Sequence, residues 1–130
     1  MTAETYFTRR DGGEYAYTID ATKLKFGVGA IGEVGEDAKA LGMTRVALYT
    51  DPRVAKLEHV DIAVRALRTA GLNVEIYDQV AVEPTDRSFR AGTRFASEGG
   101  LDGFVSIGGG SVMDTAKASN LYSTHPADLL

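Results

Sequence analysis

Three consecutive glycines between a short apolar run and a helix-like segment constrain the fold of this 130-residue chain more than any other feature. The run at residues 104–107 is β-branched and aromatic, which is typical of a buried strand. Gly108, Gly109 and Gly110 carry no Cβ, so the backbone of the turn can approach a ligand closely. A helix that starts near Ser111 would point its unpaired amides and positive dipole end at that turn. This combination favours a site for phosphate or pyrophosphate.

The same segment also has a simpler interpretation. Ser111 and Asp114 have the S-x-x-D spacing of a capping box, which any helix can carry. Glycine turns between a strand and a helix are common in α/β proteins. Three glycines in a row exceed what such a turn requires, which favours anion binding.

The apolar pattern indicates that strands and helices alternate along most of the chain. Short apolar runs predict strands, and apolar residues at helical spacing, ended by glycines, predict helices. The predicted strands are 45–49, 74–77 and 104–107, and the predicted helices lie around 31–41, 60–70, 89–98 and 112–122. This alternation predicts an α/β fold, a Rossmann-like parallel sheet with helices on both faces.

The beginning of the chain has a different pattern. Residues 1–13 are polar and are expected to form a loose lead-in. Residues 15–19 and 23–26 alternate between apolar and polar side chains. That alternation predicts a small antiparallel ribbon before the sheet.

Asp51 directly follows the first predicted strand of the sheet, as Gly108 directly follows the third. Ligands of parallel sheets bind beyond the carboxyl ends of the strands, so we expect these two positions to lie close together. Asp51 also precedes Pro52 and could cap a helix that starts there. The two roles are compatible.

A second glycine motif, at residues 27–32, matches G-x-G-x-x-G literally, and Asp51 follows it at nearly the spacing of a dinucleotide fingerprint. Lys23 and Lys25 alternate in the segment before it, whereas the fingerprint strand is apolar on both faces. We therefore interpret these glycines as a turn into a helix.

The residues from the three glycines onward resemble the G-G-G-S-x-x-D-x-A-K signature of the iron-containing (group III) alcohol dehydrogenases. The matching positions are Gly108, Gly109, Gly110, Ser111, Asp114, Ala116 and Lys117. Segments 26–30 and 49–51 are similar to other parts of that family. Segments 83–86 and 117–122 are most similar to its hydroxyacid–oxoacid transhydrogenase branch. Glycerol dehydrogenases usually have a basic residue at position 111, and dehydroquinate synthases lack the lysine at 117.

The resemblance implies an NAD(P)-binding domain, with roles for single residues. Asp51 would accept hydrogen bonds from the adenosine ribose hydroxyls, and its charge would repel a 2′-phosphate, which favours NAD over NADP. Gly110 and Ser111 would contact the pyrophosphate, while Gly108 and Gly109 would provide clearance. The site residues implied are Asp51, Gly108, Gly109, Gly110, Ser111 and Asp114.

Three residues near this site have alternative roles. Asp114 would lie near the nicotinamide or the substrate, or would act only as a capping carboxylate. Lys117 could contact the ligand or form a surface ion pair with Asp114. Glu83 stands where many family members have asparagine near the cofactor, and we do not include it in the site.

The resemblance also implies the activity of a longer enzyme. In this family an aspartate and three histidines of a helical C-terminal domain bind a divalent metal, commonly iron. This chain has only His59 and His125, and neither has metal-site spacing. We therefore expect residues 1–130 to be one NAD(P)-binding domain of a longer two-domain homo-oligomer, with no catalytic or metal-binding residue of its own. The implied reaction transfers hydride between nicotinamide and an alcohol or a hydroxyacid such as 4-hydroxybutyrate.

Composition argues against several other classes of function. A net charge of −4 with mixed signs disfavours nucleic acid or an anionic membrane as a partner. No cysteine is present, and no apolar run approaches the roughly 20 residues that span a bilayer. We expect a cytoplasmic location. The main alternative function is a stand-alone nucleotide- or phosphate-binding module without catalysis. A receiver-like signalling domain would need an acidic cluster that Asp51 lacks.

Overall fold

The computed structural model describes residues 7–9, 15–17 and 22–126. These residues form a small antiparallel ribbon and a parallel sheet flanked by helices. In chain order the elements are β1 (Phe7–Arg9), β2 (Tyr15–Tyr17), a 3₁₀ turn (Ala30–Glu33), α1 (Val34–Ala40), β3 (Arg45–Tyr49), a second 3₁₀ turn (Val54–Lys56), α2 (Glu58–Thr69), β4 (Asn73–Tyr77), α3 (Asp86–Gly99), β5 (Gly103–Ser106) and α4 (Gly110–Thr124).

The sheet has the strand order β4–β3–β5, and both neighbours run parallel to β3. Strand β3 is central because residues 46–49 are apolar on both faces and all are fully buried. The Rossmann-like α/β fold predicted from the sequence is confirmed.

Alternate residues of β3 point into two separate cores. Val46 and Leu48 pack with residues of α1 and α2, and Ala47 and Tyr49 pack with residues on the α3 and α4 side. The first core contains Ala38, Val60, Ala63, Val64, Leu67 and Leu72, and the second contains Val80, Val112 and Ala116. The helices therefore cover both faces of the sheet, as expected. Helices α1, α2 and α3 also end at or near the glycines that were expected to end them.

The antiparallel ribbon exists, but one of its predicted strands was wrong. Strand β2 pairs with β1, so that Phe7 lies opposite Tyr17. Strand β1 lies within the segment that was expected to be a loose lead-in. Residues 23–26 form no strand. Lys25 instead makes an ion pair with α1, where its Nζ lies 2.8 Å from Asp37 Oδ2. Residues 18–21, including the end of the predicted first strand of the ribbon, lie outside the described residues.

Candidate functional site

The carboxyl ends of β3 and β5 meet at one edge of the sheet. Thr50 Oγ1 donates a hydrogen bond to the Ile107 carbonyl at 2.8 Å, and the Ile107 amide donates to the Tyr49 carbonyl at 3.0 Å. Asp51 and Gly108 directly follow Thr50 and Ile107 in the sequence. The sequence expectation that these two positions come together is therefore met.

This edge is the topological switch point of the sheet. The first parallel strand, β3, has the second strand on one side and the third on the other. The connections from β3 and β4 thus cross opposite faces of the sheet, which opens a crevice beyond the carboxyl ends of β3 and β5. Such a crevice is where open α/β sheets bind their ligands.

Aromatic side chains of β3 and β5 pack against each other near this edge of the sheet. The Tyr49 ring is fully buried and stacks on Phe104, with 6.2 Å between the ring centroids. Its hydroxyl donates a hydrogen bond to the Gly92 carbonyl at 2.8 Å. Burial raises the pKa of this phenol above its ordinary value.

The three glycines of the turn have different surroundings. Gly108 has φ 152°, and a Cβ built on it would lie 2.6 Å from Val112 Cγ2. A Cβ on Gly109 or Gly110 would meet no atom within 4 Å. All three glycines are exposed, but only at Gly108 is the space of a side chain already filled.

The first amides of α4 face this open part of the turn. Gly109 precedes the helix, and its carbonyl accepts hydrogen bonds from the amides of Val112 and Met113, both at 3.1 Å. The amides of Gly110 and Ser111 make no hydrogen bond within residues 22–126. A helix start with two free donors, preceded by residues without side chains, can bind an anion through its main chain.

Ser111 does not form the capping box that its spacing with Asp114 suggested. Helix α4 already begins at Gly110, and no side chain caps it. The Ser111 hydroxyl oxygen instead accepts a hydrogen bond from the Glu83 amide at 3.3 Å. A capping box does occur elsewhere, between Thr85 and Ser88 at the start of α3.

Asp51 caps the turn that follows β3. Its Oδ1 accepts hydrogen bonds from the amides of Arg53 and Val54, both at 2.8 Å. The helix expected from Pro52 begins as this turn and a 3₁₀ segment, and α2 starts only at Glu58. Both hydrogen bonds use the same carboxylate oxygen, and no described residue bonds to Oδ2.

The loop between β4 and α3 forms a wall beside the glycine turn. The Val80 amide donates to the Thr50 carbonyl at 3.3 Å, and Val80 is buried against the second core. Glu83 then takes φ 58°, the one left-handed non-glycine residue of the described chain. Glu83 is not among the predicted site residues. Glutamate does not signal a left-handed conformation in a sequence, because asparagine, aspartate and glycine are the residues that usually adopt it.

Asp114 and Lys117 lie on exposed positions of α4 beyond Ser111. Neither side chain makes a hydrogen bond or an ion pair within the described residues, so the surface ion pair considered for them is not formed. Asp114 is one helical turn from Ser111 and so lies on the same side of the helix.

The motif at residues 27–32 is confirmed as a turn into a helix. Residues 22–26, directly before the motif, form no strand, and Phe26 is 98% exposed. Among the described residues, no group of three or more His, Asp or Glu side chains could hold a metal ion. His59 and His125 are both exposed.

Sequence comparison identifies the relatives of this chain. A sequence model described as iron-containing alcohol dehydrogenase matches residues 21–130. The chain belongs to this family. The chain is 41% identical over 113 residues to the mitochondrial hydroxyacid-oxoacid transhydrogenase of Mus musculus, and 42% identical over 113 residues to that of Homo sapiens. Each match covers 87% of this chain and 24% of the relative, so the chain spans about a quarter of the length of these relatives.

Solved structures of related enzymes share the fold. A 1,3-propanediol oxidoreductase superposes with a TM-score of 0.74 at 37% identity over 78% of this chain and 26% of the other. An NADH-dependent butanol dehydrogenase from Thermotoga maritima gives a TM-score of 0.76 at 29% identity over 82% of this chain and 27% of the other.

In the described part of the chain, no helix has the length and apolar character needed to cross a bilayer.

Proposed function

We propose that this chain is the nucleotide-binding part of an NAD-dependent oxidoreductase that transfers hydride to and from an alcohol or hydroxyacid. The observation that carries this proposal is the position of Asp51 directly beside the turn formed by Gly108, Gly109 and Gly110. A ribose acceptor and a diphosphate cradle at one switch point are the two parts that a dinucleotide requires.

The residues of the site fit the parts of NAD. The free amides of Gly110 and Ser111 would donate to the pyrophosphate, and the open space at Gly109 allows the phosphates to approach the backbone. Asp51 would accept from the ribose hydroxyls through Oδ2, because Oδ1 already accepts two amides. Asp114, one turn further along α4, would face the nicotinamide end or the substrate. The bound nicotinamide supplies the hydride chemistry, and the residues described here bind and orient it.

The described residues do not fit a metal ion, because no group of three potential ligands is present among them. We therefore assign no step of the reaction on this chain to iron. The resemblance noted above places the metal ligands of the family in a helical C-terminal domain. We propose that residues 1–130 and such a domain belong to one homo-oligomeric enzyme.

The identity with transhydrogenases of mouse and human favours that branch of the family. We propose a hydroxyacid and a 2-oxoacid as the substrates, with hydride passed between them by a nicotinamide that remains bound. The relatives are named as mitochondrial enzymes. A mitochondrial location is therefore an alternative to the cytoplasmic location expected from the sequence. A stand-alone nucleotide-binding module remains the second candidate, because the residues that bind nucleotide do not require the rest of an enzyme.

Calorimetric titration of the chain with NAD and NADP tests the proposal. We expect NAD to bind more tightly than NADP, because the Asp51 carboxylate repels a 2′-phosphate. Asp51→Asn keeps an oxygen for the amides of Arg53 and Val54 but removes the charge. We expect it to lower the preference for NAD over NADP roughly 10-fold, the equivalent of one hydrogen bond to a charged group.

The matched control is Asp61→Asn, which removes an exposed carboxylate from α2. It should leave both dissociation constants unchanged. A wild-type chain that binds neither nucleotide at millimolar concentration contradicts the proposal. An unchanged ratio in Asp51→Asn contradicts the role of Asp51.

A further inference from the structure

Glu83 has an unfavourable backbone conformation, and in that conformation its amide forms a hydrogen bond to a neighbouring element. Its φ of 58° is unfavourable for a residue with a Cβ. In this conformation its amide donates to the Ser111 hydroxyl oxygen at 3.3 Å. The bond joins the loop between β4 and α3 to the first turn of α4, elements that the sequence separates by 28 positions.

This hydrogen bond restricts the direction in which the Ser111 hydroxyl proton can point. A serine hydroxyl has one proton to donate and two lone pairs that accept. The Glu83 amide occupies one lone pair, so the proton is directed away from Glu83 and remains available. The Ser111 carbonyl is separately held by Thr115 Oγ1 at 2.8 Å, which stabilises the same helical turn.

We propose that Glu83 is a positioning residue, whose main-chain amide orients the Ser111 hydroxyl so that its proton points toward the nucleotide diphosphate. The inference rests on the nucleotide site proposed above. The carboxylate of Glu83 takes no part in it, because the donor is the amide and the left-handed backbone is what aims it. Residues that accept a positive φ should therefore replace Glu83, and residues that resist it should not.

Two neutral variants separate these effects. Glu83→Asn tolerates the left-handed conformation, whereas Glu83→Val is β-branched and strongly disfavours it. Both remove the charge equally. In calorimetric titration with ADP and with NAD, we expect Glu83→Asn to bind as tightly as the wild type and Glu83→Val to bind roughly 10-fold more weakly, the equivalent of one charged hydrogen bond.

The coupling to Ser111 distinguishes positioning from a general loss of structure. Ser111→Ala should weaken ADP binding to a similar degree, and Glu83→Val should have no further effect in the Ser111→Ala background. A loop that simply came apart would weaken binding in both backgrounds. Thermal denaturation of each variant checks that the chain remains folded.

The outcomes are distinguishable. If the wild-type chain binds neither ADP nor NAD, the nucleotide site is wrong and this inference falls with it. If the wild type binds but the Asn and Val variants at position 83 bind equally well, the positioning role is wrong and the nucleotide site stands. If Glu83→Val weakens binding as much in Ser111→Ala as in the wild type, the route through Ser111 is wrong.

Discussion

The three glycines of the turn differ in their surroundings. Gly108 is required by the fold, because its φ of 152° and the Val112 side chain exclude a Cβ. Gly109 and Gly110 have free space around them, so nothing within the described chain requires the absence of a Cβ there. The three letters look identical in the sequence, and only their surroundings separate a structural glycine from one that leaves room for a ligand.

This difference predicts two opposite phenotypes. Gly108→Ala should lower the melting temperature, because a Cβ at 2.6 Å from Val112 and a positive φ together cost roughly 2–4 kcal/mol. Gly109→Ala should leave the melting temperature unchanged but weaken NAD binding about 10-fold or more, because a methyl group would occupy the space for the phosphates.

Thermal denaturation and NAD titration of the two variants provide the measurement, and each serves as the control for the other. A Gly109→Ala chain that binds NAD as well as the wild type would show that the diphosphate does not approach the backbone at that residue. The sequence could identify these glycines as candidate site residues, whereas their separate roles depend on the position of Val112.

At the scale of elements, helices pack in pairs through glycines inside them. A Cβ on Gly35 in α1 would lie 2.1 Å from the Ala66 carbonyl oxygen of α2. A Cβ on Gly92 in α3 would lie 2.7 Å from Ser119 Oγ of α4. Both glycines are buried, and each allows two helices on one face of the sheet to approach closely.

These two contacts predict a graded loss of stability. Gly35→Ala should lower the free energy of unfolding by roughly 1–3 kcal/mol, because the main chain of α2 cannot move aside. Gly92→Ala should cost less, since the Ser119 hydroxyl can rotate, and Ser119→Ala should restore most of the loss. Gly32→Ala, with no atom within 4 Å of the new Cβ, is the matched control. Urea denaturation measures all four, and a Gly35→Ala chain as stable as the wild type would refute the close packing.

At the scale of the whole molecule, Asp102 joins the amino ends of the sheet. Its carboxylate accepts hydrogen bonds from the Thr44 hydroxyl, from the Arg45 amide at 2.8 Å and from the Thr44 amide at 2.9 Å. These bonds, the one from the Thr44 hydroxyl foremost, lower the pKa of Asp102 below its ordinary value. The residue connects the start of β3 to the segment before β5, on the side of the sheet opposite the proposed nucleotide site.

The lowered pKa predicts how stability depends on pH. A carboxylate with a depressed pKa in the folded state stabilises fully above its unfolded value of about 4, and its contribution is lost as the pH falls through the folded-state pKa. Asp102→Asn should therefore be less stable than the wild type at pH 6, and this difference should shrink below pH 4. Urea midpoints between pH 2 and pH 6 measure it. Thr44→Val, which removes the hydroxyl donor, should reduce the pH-dependent part, and a difference that is the same at every pH would contradict the assignment.

Local chemistry allowed much of this protein to be predicted. The apolar runs at 45–49 and 104–107 could be assigned as buried strands, because few other structures accommodate such runs between turn residues. The glycines that follow the helical segments predicted where the helices end. Asp51 and the glycine turn could be expected at one edge, since parallel strands place their carboxyl ends together.

Other features depended on contacts between distant segments. The partner of β2 was wrong in the sequence analysis because alternation alone does not specify which strand pairs with which. The alternating pattern predicted a strand at Lys25, but this residue instead forms an ion pair with Asp37 of α1. The Ser111 hydroxyl was expected to cap its own helix, but it accepts from Glu83 on a separate loop.

The sequence by itself thus determined the α/β class, the order of the strands and helices of the parallel sheet domain, and the family, because these follow from periodicity and from motifs read within a few neighbouring residues. Tertiary structure decided the partner of β2, the separate surroundings of the three glycines and the left-handed conformation of Glu83 beside α4. Each of these depends on which atoms come within a few ångströms across long stretches of chain, and the pattern of neighbouring residues does not contain that information.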